Sequence, residues 1–203
     1  MTKQKVEWGV GDPTINVVGD RFCNPHPLEL SVKRKMGLSL TTYDVYDVSG
    51  NLLLQVDGGV WRLDRKRVMR DPAGFPVLTM RGKALSLRDK WSVYHGESSE
   101  NSDLIFCAQQ SKALKLKSEF DIFLANNLGK EVRDFRTSGS YTNLSFKVYK
   151  DNAVIARFSQ VNHKYSWKSF KGLDTYSVKV NPEVDYAFII ALLVMIDETE
   201  YQS

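Results

Sequence analysis

The densest cluster of chemically active side chains in the sequence is basic. Residues 61–70 include five cations, and further cations follow across a turn. Arginine forms bidentate hydrogen bonds with phosphate, and lysine adds a point charge. On neighbouring strands these residues would converge into a surface for phosphate groups, for which phosphoinositide head groups are suitable ligands. The candidate residues of this surface are Arg62, Arg65, Lys66, Arg67, Arg70, Arg81, Lys83, Arg88 and Lys90.

A second interpretation of the same cations is structural. The outer face of a strand is normally charged, and lysine or arginine there protects a β-protein against pairing with other chains. Smaller basic groups at residues 33–35 and 112–117 are open to the same two interpretations. The sequence therefore leaves open both an anion-binding surface and a solvated strand face.

Residue types that serve catalysis or metal binding are scattered along the chain. His26, His95 and His163 show no metal-ligand spacing, and the sequence contains no Gly-x-Ser-x-Gly elbow and no glycine loop that would cradle a phosphate. Cys23 and Cys107 are far apart and belong to no paired motif, so we expect inert thiols. The sequence predicts a non-enzymatic protein with no catalytic residues, no metal site and no cofactor.

The fold must position the strands that carry these cations, and it is organised around an apolar segment near the end of the chain. Residues 186–196 read Tyr-Ala-Phe-Ile-Ile-Ala-Leu-Leu-Val-Met-Ile and precede a group of acids. Asn181 suits a helix cap and Pro182 the first helical position, which predicts a helix over about residues 182–197. The residues predicted to form the core of this central helix are Tyr186, Phe188, Ile189, Ile190, Leu192, Leu193 and Met195.

Protein rather than lipid must enclose this helix. Its apolar run covers every face, so no polar side is left for water. The eleven residues of the run rise about 16 Å, whereas the hydrocarbon core of a bilayer is about 30 Å thick. The rest of the chain is therefore expected to be the container of the helix.

Ahead of the helix, short segments alternate between apolar and polar residues, as half-buried strands do. Turn residues separate them, for example Ser-Gly-Asn at residues 49–51 and Asp-Pro-Ala-Gly at residues 71–74. The clearest single strand is predicted over residues 114–124. A β-sandwich has no room for a helix that is apolar all round, whereas a large barrel does. The predicted fold is mainly β, a closed antiparallel barrel of about twelve strands enclosing the C-terminal helix; a helix that covers the mouth of a smaller barrel is the alternative.

Composition and charge describe an ordinary globular chain. Its 203 residues are 42% hydrophobic, and the net charge of +4 permits anionic partners without the strong excess of a dedicated nucleic-acid binder. Residues 1–27 are expected to form an irregular arm, anchored by Val17, Val18 and Phe22, and residues 28–203 a single barrel domain. Because residues 1–5 begin no apolar leader, we expect an intracellular protein in the cytoplasm, at the periphery of the plasma membrane or in the nucleus.

Several motifs resemble the plant LURP-one-related family. They comprise residues 184–198, Phe-Cys-Asn-Pro at 22–25, Asp-Val-Ser-Gly-Asn-Leu at 47–52, and Leu-Ser-Leu-Arg-Asp-Lys-Trp-Ser-Val-Tyr-His-Gly-Glu-Ser at 85–98. The resemblance extends over residues 22–198. It implies a grouping with tubby C-terminal domains and phospholipid scramblases, whose shared fold is a twelve-stranded barrel threaded by a hydrophobic helix.

The resemblance implies a regulatory rather than a catalytic role. Founding members of the family are linked to plant defence, and tubby domains bind phosphoinositides and act as membrane-tethered transcriptional regulators. We therefore expect a module that binds phosphoinositides or other anionic phospholipids at a membrane surface, in plant defence or stress signalling. The alternative is a transcription-linked regulator that contacts nucleic acid or protein partners.

Lipid scrambling is the least favoured activity that the resemblance suggests. Scramblases are credited with a calcium-binding segment before the C-terminal helix, which corresponds here to residues 174–185. Asp174 and Asp185 fit the first and last positions of a twelve-residue calcium loop, but Tyr176 and Val178 occupy positions that need oxygen ligands. The loop fails this test, and the helix is too short to span a membrane.

Overall fold

In the computed structural model, antiparallel strands close around an α-helix. The structure describes residues 11–37, 40–59, 65–83, 90–114, 117–127, 129, 132–140, 145–161 and 173–200. Within these residues the first six strands are β1 (Leu28–Met36), β2 (Leu40–Tyr46), β3 (Leu52–Gly59), β4 (Arg65–Arg70), β5 (Pro76–Lys83) and β6 (Lys90–His95). The remaining elements are β7 (Leu104–Leu114), β8 (Lys117–Leu124), β9 (Phe135–Ser140), β10 (Ser145–Lys150), β11 (Ala153–Gln160), β12 (Leu173–Val180) and the helix α1 (Tyr186–Glu200).

The strands follow one another around the barrel in chain order. Each pairs with its sequence neighbours, because antiparallel strands need only short connections, and β1 closes the barrel by pairing with β12. In this closing pair Leu30 lies opposite Val178, and Val32 lies opposite Tyr176. The prediction of a closed barrel of about twelve strands is confirmed.

The interior of the barrel is filled by α1 and by every second side chain of the strands. Residues 187–196 of the helix are at most 2% exposed, and Ile190 is fully buried. The ring of Phe188 lies 5.2 Å from that of Phe106 and 5.0 Å from that of Phe135, distances typical of packed aromatic pairs. The prediction of an enclosed helix is confirmed, and a helix that only covers the mouth of a smaller barrel is excluded.

The predicted cap of the helix is wrong. Helix α1 begins at Tyr186 rather than Pro182, because Asp185 is the residue whose Oδ1 accepts the Phe188 backbone N–H, at 3.0 Å. The side chain of Asn181 instead donates to the carbonyl of Val154, and Glu183 has φ of 60°, a left-handed backbone that no helix continues through. The helix also runs past the predicted residue 197 to Glu200.

The N-terminal segment braces the start of the helix. Oδ2 of Asp185 accepts backbone N–H groups from Val17, Val18 and Gly19, at 3.2, 2.7 and 3.1 Å. Ile15 forms a parallel bridge with Val184, and Phe22 is 5% exposed. The cap residue therefore holds the helix with one carboxylate oxygen and the arm with the other.

The predicted strand over residues 114–124 is two strands. β7 ends at Leu114 and β8 begins at Lys117, and these two residues pair across the hairpin. Residues 115–116 include no glycine or proline, and the alternation of apolar and polar residues continues across them, so the sequence does not mark the division. Val132 is 74% exposed and precedes β9. Of the alternating segments for which strands are predicted, residues 60–64 and 85–87 lie outside the described residues.

Candidate anion-binding surface and buried charge cluster

The predicted cations do not share one surface. Side chains of a strand alternate between its two faces, and on β4 the residues Arg65, Arg67 and Met69 share the inward face. Arg65 is 6% and Arg67 is 4% exposed, while Met69 is fully buried. The prediction that both arginines lie on the outer surface is therefore wrong.

Three cations of this group face outward and have no ion pair with an acid among the described residues: Lys66, Arg81 and Lys90. Each is partly exposed and alternates with an inward residue, such as Met80 or Trp91, that is fully buried. Lys66 lies directly opposite Arg81, and Lys90 lies opposite Lys83, of which only the backbone is described. We call Lys66, Arg81 and Lys90 the β4–β6 surface. Arg62 and Arg88 lie outside the described residues.

Arg70, although it faces outward, is bound to acids. Its Nη2 lies 2.6 Å from Oε1 of Glu97, and its Nε lies 3.5 Å from Oδ2 of Asp57. The hydrogen bond from Arg70 holds the pKa of Glu97 below its ordinary value. With two carboxylates this close, Arg70 adds little positive potential for an external anion.

Inside the barrel, Arg67 binds an acid at the end of the helix. Its Nη2 lies 2.7 Å from Oε2 of Glu198, which is 7% exposed. Gly58 on the neighbouring strand makes room for the guanidinium, since a Cβ there would lie 2.6 Å from Cδ of Arg67. The pair ties β4 to the last turn of α1.

Arg34 makes the corresponding contact from β1. Its Nε lies 3.3 Å from Oδ2 of Asp197, and its Nη1 lies 3.3 Å from Oδ2 of Asp174 at the edge of the interior. The other oxygen of Asp174 accepts a hydrogen bond of 2.9 Å from Gln160. Two arginines from different strands thus neutralise two consecutive helix acids.

Two tyrosines complete the hydrogen bonding of these acids. Oη of Tyr43 lies 2.7 Å from Oδ2 of Asp197 and 2.9 Å from Oε1 of Glu198, so its proton bridges the two carboxylates. Tyr176 donates to Oδ1 of Asp197. Burial raises the pKa of both phenols, which keeps them protonated and able to donate. We call Arg34, Arg67, Asp197, Glu198, Tyr43 and Tyr176 the charge cluster.

Burial also raises the pKa of Asp197, against the opposing effects of Arg34 and the tyrosine hydrogen bonds. A buried carboxylate without partners costs far more free energy than one that is paired and hydrogen-bonded. The cluster supplies these partners only when the helix sits at one height and one rotation in the barrel. Its role is therefore to position α1.

Arg65 is the inward-facing residue of β4 that lies two positions before Arg67, and it stacks on an aromatic ring. Its guanidinium lies 5.4 Å from the centroid of Trp91, within the range of a cation–π contact. Nε1 of Trp91 donates to Oγ1 of Thr199 at 3.3 Å. Gly82 faces the same arginine, and a Cβ there would lie 3.0 Å from Arg65 Cδ.

The charge cluster was missed at the level of sequence, although one signal was present. Arg65 and Arg67 have the same parity along the strand as Met69, so strict alternation would have placed them inside. Asp197 and Glu198 follow the apolar run directly, and acids usually end a buried segment. Nothing local to residues 34, 43 and 176 indicates that they meet these acids.

Both cysteines are free thiols, as predicted. Cys107 is buried, and burial together with the nearby Asp185 carboxylate raises the pKa of Cys23 to about 11. Since the thiolate is the reactive form, Cys23 is a poor nucleophile, while Cys107 is shielded from solvent by burial.

In the part of the chain that the structure describes, no three His, Cys, Asp or Glu side chains are grouped as a metal site requires. Over those same residues, no helix is both long enough and apolar enough to cross a bilayer.

The fold and the site define a class: a twelve-stranded barrel filled by its own C-terminal helix, with an internal charge cluster and cations on outer strands. The family model described as LURP-one-related matches residues 28–197. The chain is 55% identical to the protein LURP-one-related 14 of Arabidopsis thaliana, over 97% of each chain. It is 42% identical to LURP-one-related 9 of the same plant, over 91% of this chain and 98% of the relative.

A solved structure agrees with these sequence matches. The X-ray structure of a protein from Arabidopsis thaliana aligns with a TM-score of 0.69 at 34% identity, covering 91% of this chain and 98% of the other. The chain belongs to the LURP-one-related family.

Proposed function

We propose that this protein is a non-enzymatic regulatory module that binds anionic phospholipid head groups through the β4–β6 surface, in plant defence or stress signalling. The observation that carries the proposal is the cross-strand register of the surface, in which Lys66 of β4 lies directly opposite Arg81 of β5. Like charges directly opposite each other destabilise a sheet. An external anion that binds both cations would relieve this repulsion and would be attracted by both charges.

The environment of Arg81 supports the same conclusion. Its Nε is buried and has no hydrogen-bond acceptor among the described residues. Such an atom carries a desolvation cost, and the partly exposed guanidinium offers its other nitrogens to an anion as charge-assisted donors. Phosphoinositides are suitable ligands because several phosphates on one head group match several cations on neighbouring strands.

The regulatory part of the proposal rests on membership of the LURP-one-related family. The scattered histidines and inert thiols favour binding over catalysis. Such a binding module would act by where it is located and by what it contacts.

Co-sedimentation with vesicles tests the lipid ligand. Wild-type protein is mixed with phosphatidylcholine vesicles alone, with added phosphatidylserine, or with added phosphatidylinositol 4,5-bisphosphate, at low and at physiological salt. We expect selective binding to the phosphoinositide that persists at physiological salt, where screening removes weak surface attraction. Lys66→Gln combined with Arg81→Gln and Lys90→Gln should weaken this binding at least about tenfold.

The matched control removes three exposed cations elsewhere, through Arg21→Gln, Lys33→Gln and Arg133→Gln. If this variant loses binding as much as the β4–β6 variant, the interaction follows net charge and the proposed surface is wrong. Arg65 and Arg67 are unsuitable for the test, because they are buried. Binding to duplex DNA in preference to every vesicle would overturn the lipid proposal in favour of a transcription-linked regulator.

A further inference from the structure

The turn between β4 and β5 presents a continuous apolar surface to solvent. Residues 72–76 read Pro-Ala-Gly-Phe-Pro, and all five are exposed, with Phe75 at 68%. Single apolar side chains at a surface are common, whereas a contiguous exposed group is typical of an interaction site. We call residues 72–76 the apolar turn.

Hydrogen bonds to Asp71 and Arg70 fix the backbone of the apolar turn. Oδ1 of Asp71 accepts the backbone N–H groups of Ala73 and Phe75, each at 3.0 Å. The carbonyl of Asp71 accepts the N–H of Gly74 at 2.9 Å, and Nη1 of Arg70 donates to the Gly74 carbonyl at 3.3 Å. The two prolines of the turn have no N–H. Every N–H position of the apolar turn is therefore either bonded or lacks a hydrogen.

The turn between β2 and β3 has the same backbone arrangement and different side chains. Oδ1 of Asp47 accepts the N–H groups of Ser49 and Asn51, each at 2.8 Å. Asp71 makes the same two bonds in the apolar turn. The glycine at the end of each turn has a positive φ, 85° in one and 88° in the other. Since polar residues serve this geometry in the neighbouring turn, the geometry does not explain why the apolar turn is apolar.

The apolar turn combines two properties that entry into a lipid bilayer requires. Hydrocarbon offers no hydrogen-bond partners, so a segment that enters it must satisfy its own backbone donors. A loop that stays in water has no such requirement, because water bonds to its free N–H groups. The ring of Phe75 supplies apolar area whose transfer out of water is favourable.

Two arginines lie at the base of the apolar turn. Arg70 forms ion pairs with Asp57 and Glu97. Nη1 of Arg21 lies 3.9 Å from Oδ2 of Asp71, and the side chain of Arg21 is 62% exposed. Long arginine side chains can keep their charge in the head-group layer while the segment beside them goes deeper. Because each of the three acids has a cationic partner, their repulsion of an anionic membrane is weakened.

The apolar turn connects the two strands that carry Lys66 and Arg81. Arg81 follows Phe75 by six residues of extended chain, which is about 20 Å. A segment that lies in the membrane interface enters it by about 5–10 Å. With the barrel tilted, the apolar turn and the β4–β6 surface can therefore contact the same leaflet.

We propose that the apolar turn inserts into the bilayer to which the β4–β6 surface binds. Phe75 enters the boundary between head groups and acyl chains, while Arg21 and Arg70 stay among the head groups. This inference rests on the proposed function, because it adds an inserted segment to the same membrane contact. The cations select the membrane, and the apolar turn slows the departure of the protein from it.

A variant that copies the neighbouring turn tests the insertion. Ala73→Ser with Phe75→Asn introduces the side chains that the β2–β3 turn carries at these positions, so the fold should be retained, as circular dichroism will show. Binding to phosphatidylcholine vesicles with phosphatidylinositol 4,5-bisphosphate should weaken about ten- to a hundredfold, because the transfer of the phenylalanine ring is lost. The rise in surface pressure of a monolayer of the same lipids, which reports insertion rather than adsorption, should also be lost.

Val132 provides the matched control. It is 74% exposed and lies in the connection between β8 and β9, at the same end of the barrel and away from β4 and β5. Val132→Asn should bind and insert as wild type does. In vesicles with brominated phosphatidylcholine, the fluorescence of Phe75→Trp should be quenched beyond the level of wild type, whereas that of Val132→Trp should not.

Equal binding and insertion by wild type and the Ala73→Ser, Phe75→Asn variant would overturn the inference. The proposed function would still stand in that case if Lys66→Gln with Arg81→Gln and Lys90→Gln lost vesicle binding. Equal quenching of Phe75→Trp and Val132→Trp would also overturn the inference. So would a change of oligomeric state in the Ala73→Ser, Phe75→Asn variant with insertion unchanged, since the apolar turn would then join copies of the chain. A wild type that binds none of the vesicles would overturn both proposals.

Discussion

Lys66 and Arg67 are neighbours on β4 and both carry a positive charge, yet they belong to different parts of the molecule. Lys66 faces outward opposite Arg81, whereas Arg67 enters the barrel and binds Glu198 at 2.7 Å. Adjacent residues of a strand point to opposite faces. A cation exposed to solvent and a cation that stabilises the fold are therefore neighbours in the sequence. A basic run in a strand therefore has to be divided by face before any function is assigned to it.

The two environments also differ in what a charge costs. The outer surface is solvated, where an ion pair changes stability by less than about 1 kcal/mol. Inside the barrel, each charge of the cluster needs its partner, because removal of one member leaves the other buried without compensation. The predictions below test this difference, in order of decreasing effect.

Ile190→Asp should have the largest effect. Ile190 is fully buried inside the barrel, and an aspartate there has no partner of the kind that Asp197 and Glu198 have. We expect a loss of several kcal/mol, enough to unfold most of the protein, measured by circular dichroism and urea unfolding. Ile190→Val should cost only about 0.5–1.5 kcal/mol. A folded Ile190→Asp variant that had lost only membrane association would show that the helix is exposed.

Arg67→Met should destabilise the protein by about 3–5 kcal/mol, because Glu198 is left buried without its cation. Lys66→Gln, one residue away on the outer face, should change the free energy of unfolding by less than about 0.5 kcal/mol. Adding Glu198→Gln to Arg67→Met should recover part of the loss, since a neutral amide costs less to bury. Equal effects at residues 66 and 67 would contradict the division between the two faces.

Tyr43→Phe should cost about 1.5–3 kcal/mol, since the hydroxyl bridges the carboxylates of Asp197 and Glu198. The phenylalanine fills the same space, so the loss reports the hydrogen bonds alone. Tyr149→Phe is the control on the outer face, where the ring stacks under Arg136, and the variant should be close to wild type. A neutral result at Tyr43 would mean that water replaces the phenol in the cluster.

The smallest expected effects concern how the free energy of unfolding depends on pH. They should have opposite signs for the buried Asp197 and the exposed Glu97. The pKa of Asp197 is raised above its ordinary value of 3.8, chiefly by burial. Its contribution to stability is fully present below that value and is lost as the pH rises through the folded pKa. The pKa of Glu97 is lowered below 4.5, chiefly by its hydrogen bond from Arg70. Its contribution is present above that value and is lost as the pH falls through the folded pKa.

Urea unfolding of wild type, Asp197→Asn and Glu97→Gln across this acid range measures both contributions. On acidification, the advantage of wild type over Asp197→Asn should grow, while its advantage over Glu97→Gln should shrink. Parallel curves for the two variants would show that residues 97 and 197 share one kind of environment.

The apolar segment at residues 186–196 made the architecture predictable. An apolar run that has no polar face and is too short to span a bilayer must be enclosed by protein. The many short segments that alternate between apolar and polar residues predict the strands of a barrel that encloses it. The start of the helix could not be predicted in the same way. Asn181 and Pro182 form a good capping sequence, but Asp185 receives backbone N–H groups from both the helix and the distant N-terminal arm.

The residue types of the candidate site could be predicted from the sequence, but the face of the strand on which each residue lies could be predicted only in part. The sequence shows the basic run of β4. The prediction that Arg65 and Arg67 lie on the outer surface is wrong, because both occupy inward-facing positions of the strand.

Local patterns thus determined the elements of this protein: a period of two for its strands, an all-round apolar run for its helix, and glycine, proline or asparagine at many of its turns. The tertiary structure alone decided which cations meet acids and which meet solvent. The physical reason is that hydrophobic periodicity depends on neighbours along the chain, whereas the partner of a charge is set by strand register and by the height of the helix in the barrel. Arg67 and Glu198 are far apart in sequence, and only the closed barrel brings them into contact.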